Sequence, residues 1–198
     1  MTIWYLARAA GIVALVAFTA STVLGALSPS RRSTAGARDI DRRYLVQMAH
    51  RSAAITGLLA LATHVVLLVA DSFVNLSISG ALVPFTAGYR PLALGLGTVG
   101  VYAIILVALS GAARGRLASS ARAAAAWRYV HALAYLGWAL SMAHGILAGS
   151  DTRTSWAIAT YASCGAAVAA AIAVRLRAHA RFVHAPLTVA RTLERSRS

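Results

Sequence analysis

Five stretches of this chain stay apolar for long enough to cross a bilayer, which takes about 20 residues of helix. They run approximately Ile3–Leu27, Tyr44–Ala70, Leu92–Ala112, Ala124–Gly149 and Ser155–Leu176, with polar residues and arginine gathered in the connections between them. The pattern predicts an all-α integral membrane bundle of about five transmembrane helices, because a lone strand could not satisfy its backbone in lipid. The first stretch resembles the start of a signal peptide. Its only early charge is Arg8, however, and its apolar run exceeds the ~7–15 residues of a signal core, so it reads as a retained span. Between the second and third spans, Asp71–Pro91 alternates apolar and polar residues and contains Pro84 and Pro91. It is too interrupted to cross, and predicts an amphipathic segment that lies on the membrane surface or dips into it. The domain reading is a helical membrane domain over 1–176 and a basic cytoplasmic tail over 177–198.

Composition agrees. Hydrophobic residues make up 59% of the chain and charged residues 12%, with a mean hydropathy of +0.69, against roughly 25% charged in a soluble domain. The net charge of +14 is carried by arginine alone, since the chain has no lysine. A nucleic-acid partner is excluded by where these arginines lie: they fall in the connections, with no accompanying binding motif. Their distribution sets orientation instead. The first connection holds Arg31, Arg32, Arg38, Arg42 and Arg43, the third holds Arg114, Arg116, Arg122 and Arg128, and the tail holds Arg175, Arg177, Arg181, Arg191, Arg195 and Arg197. The opposite side has Arg8, Arg90 and Arg153. Basic loops stay cytoplasmic, so the expectation is a multi-pass protein of the plasma membrane with its N-terminus outside and its C-terminus inside. The single cysteine, Cys164, excludes an intramolecular disulfide and a cysteine-based metal cluster.

Ionisable residues inside apolar spans are where chemistry is expected. His50 and His64 lie 14 residues apart on the second span, and His131 and His144 lie 13 apart on the fourth. These two spans run in the same direction. His50 and His131 fall near their cytoplasmic starts, while His64 and His144 fall near their outer ends, about 21 Å away at 1.5 Å per residue. Imidazole ligates haem iron axially. Two matched levels on two parallel helices therefore predict a His50/His131 site in one leaflet and a His64/His144 site in the other. Helical phase fits less simply: 14 residues return His64 to within ~40° of the His50 face, whereas 13 leave His131 and His144 well over 90° apart on an ideal helix. Tilt, distortion near Gly137 or non-coaxial haems would absorb the difference. Any single membrane histidine also serves as interhelical hydrogen-bond glue or a proton relay. A histidine-lined proton or metal-ion transporter subunit without haem is the alternative reading.

Arg51 and Arg128 lie at the cytoplasmic level and are candidate partners for haem propionates, or else snorkel to phospholipid. Arg90 and Arg153, with Tyr89, are the outer counterparts. Gly57 and Gly145 remove bulk where a macrocycle needs space, or simply allow helix packing. Trp127, Tyr129 and Trp138 read as ordinary interface or packing aromatics, and His179 and His184 as tail residues without counterparts. The run Gly95-Leu96-Gly97-Thr98-Val99-Gly100 matches a dinucleotide fingerprint but opens a transmembrane run with no preceding strand, so it is a smooth helix face.

The two histidine pairs resemble those of the ferric reductase-like transmembrane domain family, whose relatives include the membrane parts of NADPH oxidases and ferric reductases. The stretches His50-Arg51, His64 to Asp71, Val83-Pro84-Phe85 to Tyr89-Arg90-Pro91, Trp127-Arg128 to His131, and His144-Gly145 to Asp151-Thr152 resemble its actinobacterial branch in particular. The likeness runs from about Tyr44 to Trp156. It implies a di-haem b cytochrome that relays electrons across the membrane, with two haem b groups held by His50, His131, His64 and His144. The chain departs from the family at its C-terminus. The oxidases and eukaryotic reductases continue into a flavin and NADPH domain, whereas a basic tail of about two dozen residues follows the last span here. No flavin or NAD(P) site is therefore expected within this chain, and the redox partner is expected to be a separate molecule. A flavin-binding protein on the outer face is the leading expectation, with quinone or a ferric chelate also open. The apolar residues Phe73, Val74, Leu76, Ile78, Leu82, Val83 and Phe85 mark Asp71–Pro91 either as that contact or as a lipid-embedded segment.

Overall fold

A computed structural model describes residues 2–28, 37–72 and 76–195. They form seven helices: α1 (Thr2–Ala26), α2 (Ala37–Ala70), α3 (Ile78–Leu82), α4 (Pro91–Ala112), α5 (Arg114–Leu117), α6 (Ala121–Ala148) and α7 (Ser155–Arg195). Among the described residues there is no strand. Five helices, α1, α2, α4, α6 and α7, are long and apolar enough to span a membrane. The protein is an all-α, multi-pass membrane bundle. Each expected span is present, with its ends shifted by a few residues, and α7 runs on unbroken past Leu176 to Arg195.

Local chemistry sets the boundaries. Pro91 opens α4, where its missing N–H costs no hydrogen bond. Ser120 caps α6 by accepting the Ala123 N–H at 3.1 Å. The packing is that of a protein dissolved in lipid. Large apolar side chains such as Leu59, Val66, Leu92 and Leu109 stand exposed on the outside, while the buried positions are mostly small, including Ala7, Ala14, Ala93, Ala157 and Ala171. Small residues let helices approach where no hydrophobic force drives them together.

The architecture is two antiparallel hairpins placed side by side. α1 packs on α2, and α4 packs on α6, while α7 leans on α1. The hairpins join through a central apolar layer of Ala14, Phe18 and Ile104, flanked by Leu58, Leu61 and Trp138. The Trp138 indole N–H donates to Thr19 Oγ1 at 2.9 Å, tying α6 to α1 across that layer.

The described part of the segment between α2 and α4 packs along α4. Thr98 Oγ1 donates to the Ala81 carbonyl at 3.1 Å, and the Tyr102 hydroxyl donates to the Leu82 carbonyl. Thr98 and Tyr102 lie roughly 10 and 16 Å along α4 from Pro91 at the helical rise, so α3 sits alongside α4 below its start. These two hydroxyls satisfy carbonyls that the short helix leaves orphaned. Phe85 adopts a left-handed backbone with φ 67°, and its ring lies over Gly95, leaving no room there for a Cβ. Phe73 and Val74 lie outside the described residues.

Candidate functional site: two histidine pairs seated on glycines

The four span histidines meet in the two pairs expected of them. The His50 and His131 rings have centroids 6.3 Å apart, and the His64 and His144 rings are also 6.3 Å apart. A ligating nitrogen sits about 2 Å from its metal, and about 1 Å more reaches the ring centre, so two imidazoles on one ion place their centroids roughly 6 Å apart. The ring planes are crossed, at 64° in the first pair and 77° in the second.

The other face of each ring is tied to the neighbouring helix of its own hairpin. His64 Nδ1 bonds to the Ala7 carbonyl at 2.7 Å, His144 Nδ1 to the Ala93 carbonyl at 2.8 Å, and His50 Nδ1 to the Ser21 carbonyl at 2.8 Å. A carbonyl only accepts, so Nδ1 carries the proton in all three rings, and Nε2 is left as the basic nitrogen on the far side. His131 Nδ1 meets Ser110 Oγ at 3.2 Å. That hydroxyl donates to the Val107 carbonyl at 2.8 Å, so toward His131 it accepts, and the tautomer is the same. This is how metal-binding histidines are oriented: the outer nitrogen is fixed by a backbone or side-chain acceptor, and the inner one is presented to the metal.

Each ring also has a glycine seat. A Cβ at Gly97 would stand 2.7 Å from His144 Nδ1, and one at Gly11 would stand 2.9 Å from His64 Nδ1. At the other level, Gly111 and Gly25 would each place a Cβ 3.3 Å from Cε1 of His131 and His50. Gly11 and Gly25 are 14 residues apart on α1, as are Gly97 and Gly111 on α4. The hairpins are therefore two copies of one device: a helix bearing two glycines, against a helix bearing two histidines. Halfway between the levels the device inverts. Phe18 on α1 packs over Gly57 on α2, and Ile104 on α4 packs over Gly137 on α6.

The glycine seats were not foreseen, although the repeated 14-residue spacing was available as a signal. Gly97 belongs to the smooth helix face read from Gly95–Gly100, but its use is to admit His144. Gly57 and Gly145 open space for Phe18 and for the Tyr161 hydroxyl rather than at the ring pairs. The phase mismatch on α6 is met without a break in the helix, which runs continuously from Ala121 to Ala148. Both of its imidazoles are tethered to α4, and those tethers, with helical phase, fix where the rings sit.

Arg51 and Arg128 are exposed, and neither makes an ion pair or hydrogen bond among the described residues. Arg90 donates to the Leu147 and Ala148 carbonyls at 2.9 and 3.3 Å, closing the C-terminal end of α6. Arg8 forms an ion pair with Asp151. Trp127 does more than pack at an interface: its ring stacks on His131 with centroids 4.8 Å apart and planes 19° from parallel.

The chain matches no family model, no curated protein and no solved structure. The functional reading therefore rests on the geometry of these pairs. Among the described residues no three or more His, Cys, Asp or Glu side chains gather as a possible metal site. Two facing imidazoles fit an ion whose remaining positions a macrocycle fills, and the residues present suit haem.

Proposed function

We propose that this protein is a di-haem b cytochrome of the plasma membrane, resembling the ferric reductase-like family, that relays electrons from one face of the bilayer to the other. The observation that carries the reading is the repeated 6.3 Å separation of two imidazoles whose Nδ1 atoms are both tied back. Each bound haem supplies a one-electron couple. The chain's own residues do the rest. His50 with His131, and His64 with His144, would hold the two haems through their Nε2 atoms. Ala7, Ser21, Ala93 and Ser110 hold those rings in one tautomer. Phe18, Ile104, Leu58, Leu61 and Trp138 keep the space between the levels apolar. Electrons enter and leave through a separate redox molecule, a flavin-binding protein or a quinone.

Colour decides the first point. The purified protein is expected to show a b-type reduced-minus-oxidised spectrum and two haems per chain. A colourless, folded protein that moves protons or metal ions would replace this reading with the transporter one.

Arginine placement supports an N-terminus outside and a C-terminus inside. With Cys164 changed to Ser, Gly88→Cys and Gly115→Cys give well-placed reporters, since a Cβ at either meets nothing within 4 Å. A membrane-impermeant maleimide should label Gly88→Cys in intact cells and Gly115→Cys only after permeabilisation. The opposite pattern would invert the orientation.

A further inference from the structure

The two levels share ligands, tethers and seats, but their electrostatic surroundings differ. At the His64/His144 level two of the nearby cations are matched by negative charge, and the third, Arg153, stands exposed. Arg8 pairs with Asp151, and Arg90 binds the last carbonyls of α6, the negative end of its dipole. At the His50/His131 level the Arg114 guanidinium lies over the Trp127 ring, 5.0 Å from its centroid. Trp127 in turn lies flat on His131. Its position is fixed, because the indole N–H donates to the Ser110 carbonyl at 2.9 Å while the Ser110 hydroxyl holds His131 Nδ1. Arg114 is half-buried, and among the described residues it makes no ion pair.

We infer that Arg114, carried on Trp127, is a positioning residue that raises the reduction potential of the His50/His131 site, and that the other site has no equivalent. This rests on the haem reading above. Reduction adds one negative charge at the iron. A fixed cation held close by, where little water screens it, favours that reduced form. The stacked ring carries the ligand and the cation as one unit, so the charge keeps its distance from the iron instead of swinging away with the flexible arginine stem. At a separation on the order of 12 Å and an effective dielectric near 20, the interaction is worth about tenfold in a one-electron equilibrium constant, or 59 mV.

The experiment is an optical redox titration of the full-length haem-loaded protein, in which two one-electron components are resolved. Arg114→Gln is expected to lower one component by about tenfold in its equilibrium constant and to leave the other in place, with an unchanged absorption spectrum. Arg114→Lys should restore most of the shift, and Trp127→Leu, which removes the platform, should reproduce the loss. Arg116→Gln, on the same short helix but exposed, should move neither. In a His144→Ala background, which leaves the His50/His131 haem alone, the Arg114→Gln shift should persist. Two haems with potentials indifferent to Arg114→Gln would overturn the inference while leaving the cytochrome reading intact, as would equal shifts of both components. Absence of haem from the unaltered protein would remove that reading and this inference together.

Discussion

Purified His144→Ala protein is expected to carry one haem per chain, against two expected of the unaltered protein, and His64→Ala should do the same. Each variant removes one of the two facing imidazoles of the His64/His144 pair and leaves His50 and His131 untouched, about 21 Å further along the helices. His50→Ala and His131→Ala should lose the other haem. The four variants therefore fall into two classes, and members of a class should leave the same residual spectrum. The measurement is haem-to-protein ratio by pyridine haemochrome assay, with the reduced spectrum assigning the survivor. Two haems retained in all four variants would dismiss the pairing.

A second large effect is expected from residues that touch no metal. Gly97→Val should also lose the His64/His144 haem, because a Cβ alone would stand 2.7 Å from His144 Nδ1 and break the tether to Ala93. The ring would then turn and carry Nε2 out of line. Gly11→Val acts on His64 in the same way, from 2.9 Å. Gly111→Ala and Gly25→Ala should be milder, since their nearest approach is 3.3 Å and a ring that gives by a few tenths of an ångström keeps its pairing. Gly165→Ala on α7 is the control, with nothing within 4 Å of the added carbon. Unchanged haem content in Gly97→Val would show that the seat is incidental.

The spans were legible because lipid permits few alternatives. Twenty apolar residues without polar backbone partners must close their own hydrogen bonds, and the boundary residues Pro91 and Ser120 follow ordinary capping chemistry. The histidines were legible because imidazole is costly in hydrocarbon. Their glycine seats escaped notice for the opposite reason: glycine is common in membrane helices, and only the shared 14-residue interval sets Gly11, Gly25, Gly97 and Gly111 apart. The stack of Arg114 on Trp127 on His131 had no sequence signal. Arg114 lies on α5 and the other two on α6, and no periodicity relates residues across a turn. Arg51 and Arg128 were legible only by their level near the cytoplasmic ends of their spans, and both stand exposed.

The apolar layer midway between the two ring pairs has an electrical consequence. None of the acidic side chains that the structure describes, Asp41, Asp71 and Asp151, lies in it, and its members Phe18, Ile104, Leu58 and Leu61 offer nothing that takes up a proton. If the protein is the di-haem cytochrome proposed above, an electron passing between the levels would move without a proton to accompany it. That transfer would be electrogenic, and each charge would work against or with the membrane voltage by up to about 2.3 kcal/mol per 100 mV for a full crossing. The resting potential of the cell would then be a thermodynamic term in the turnover of the protein. A permeant ion that collapses that potential should then alter the balance of reduction between the two sites without touching either of them.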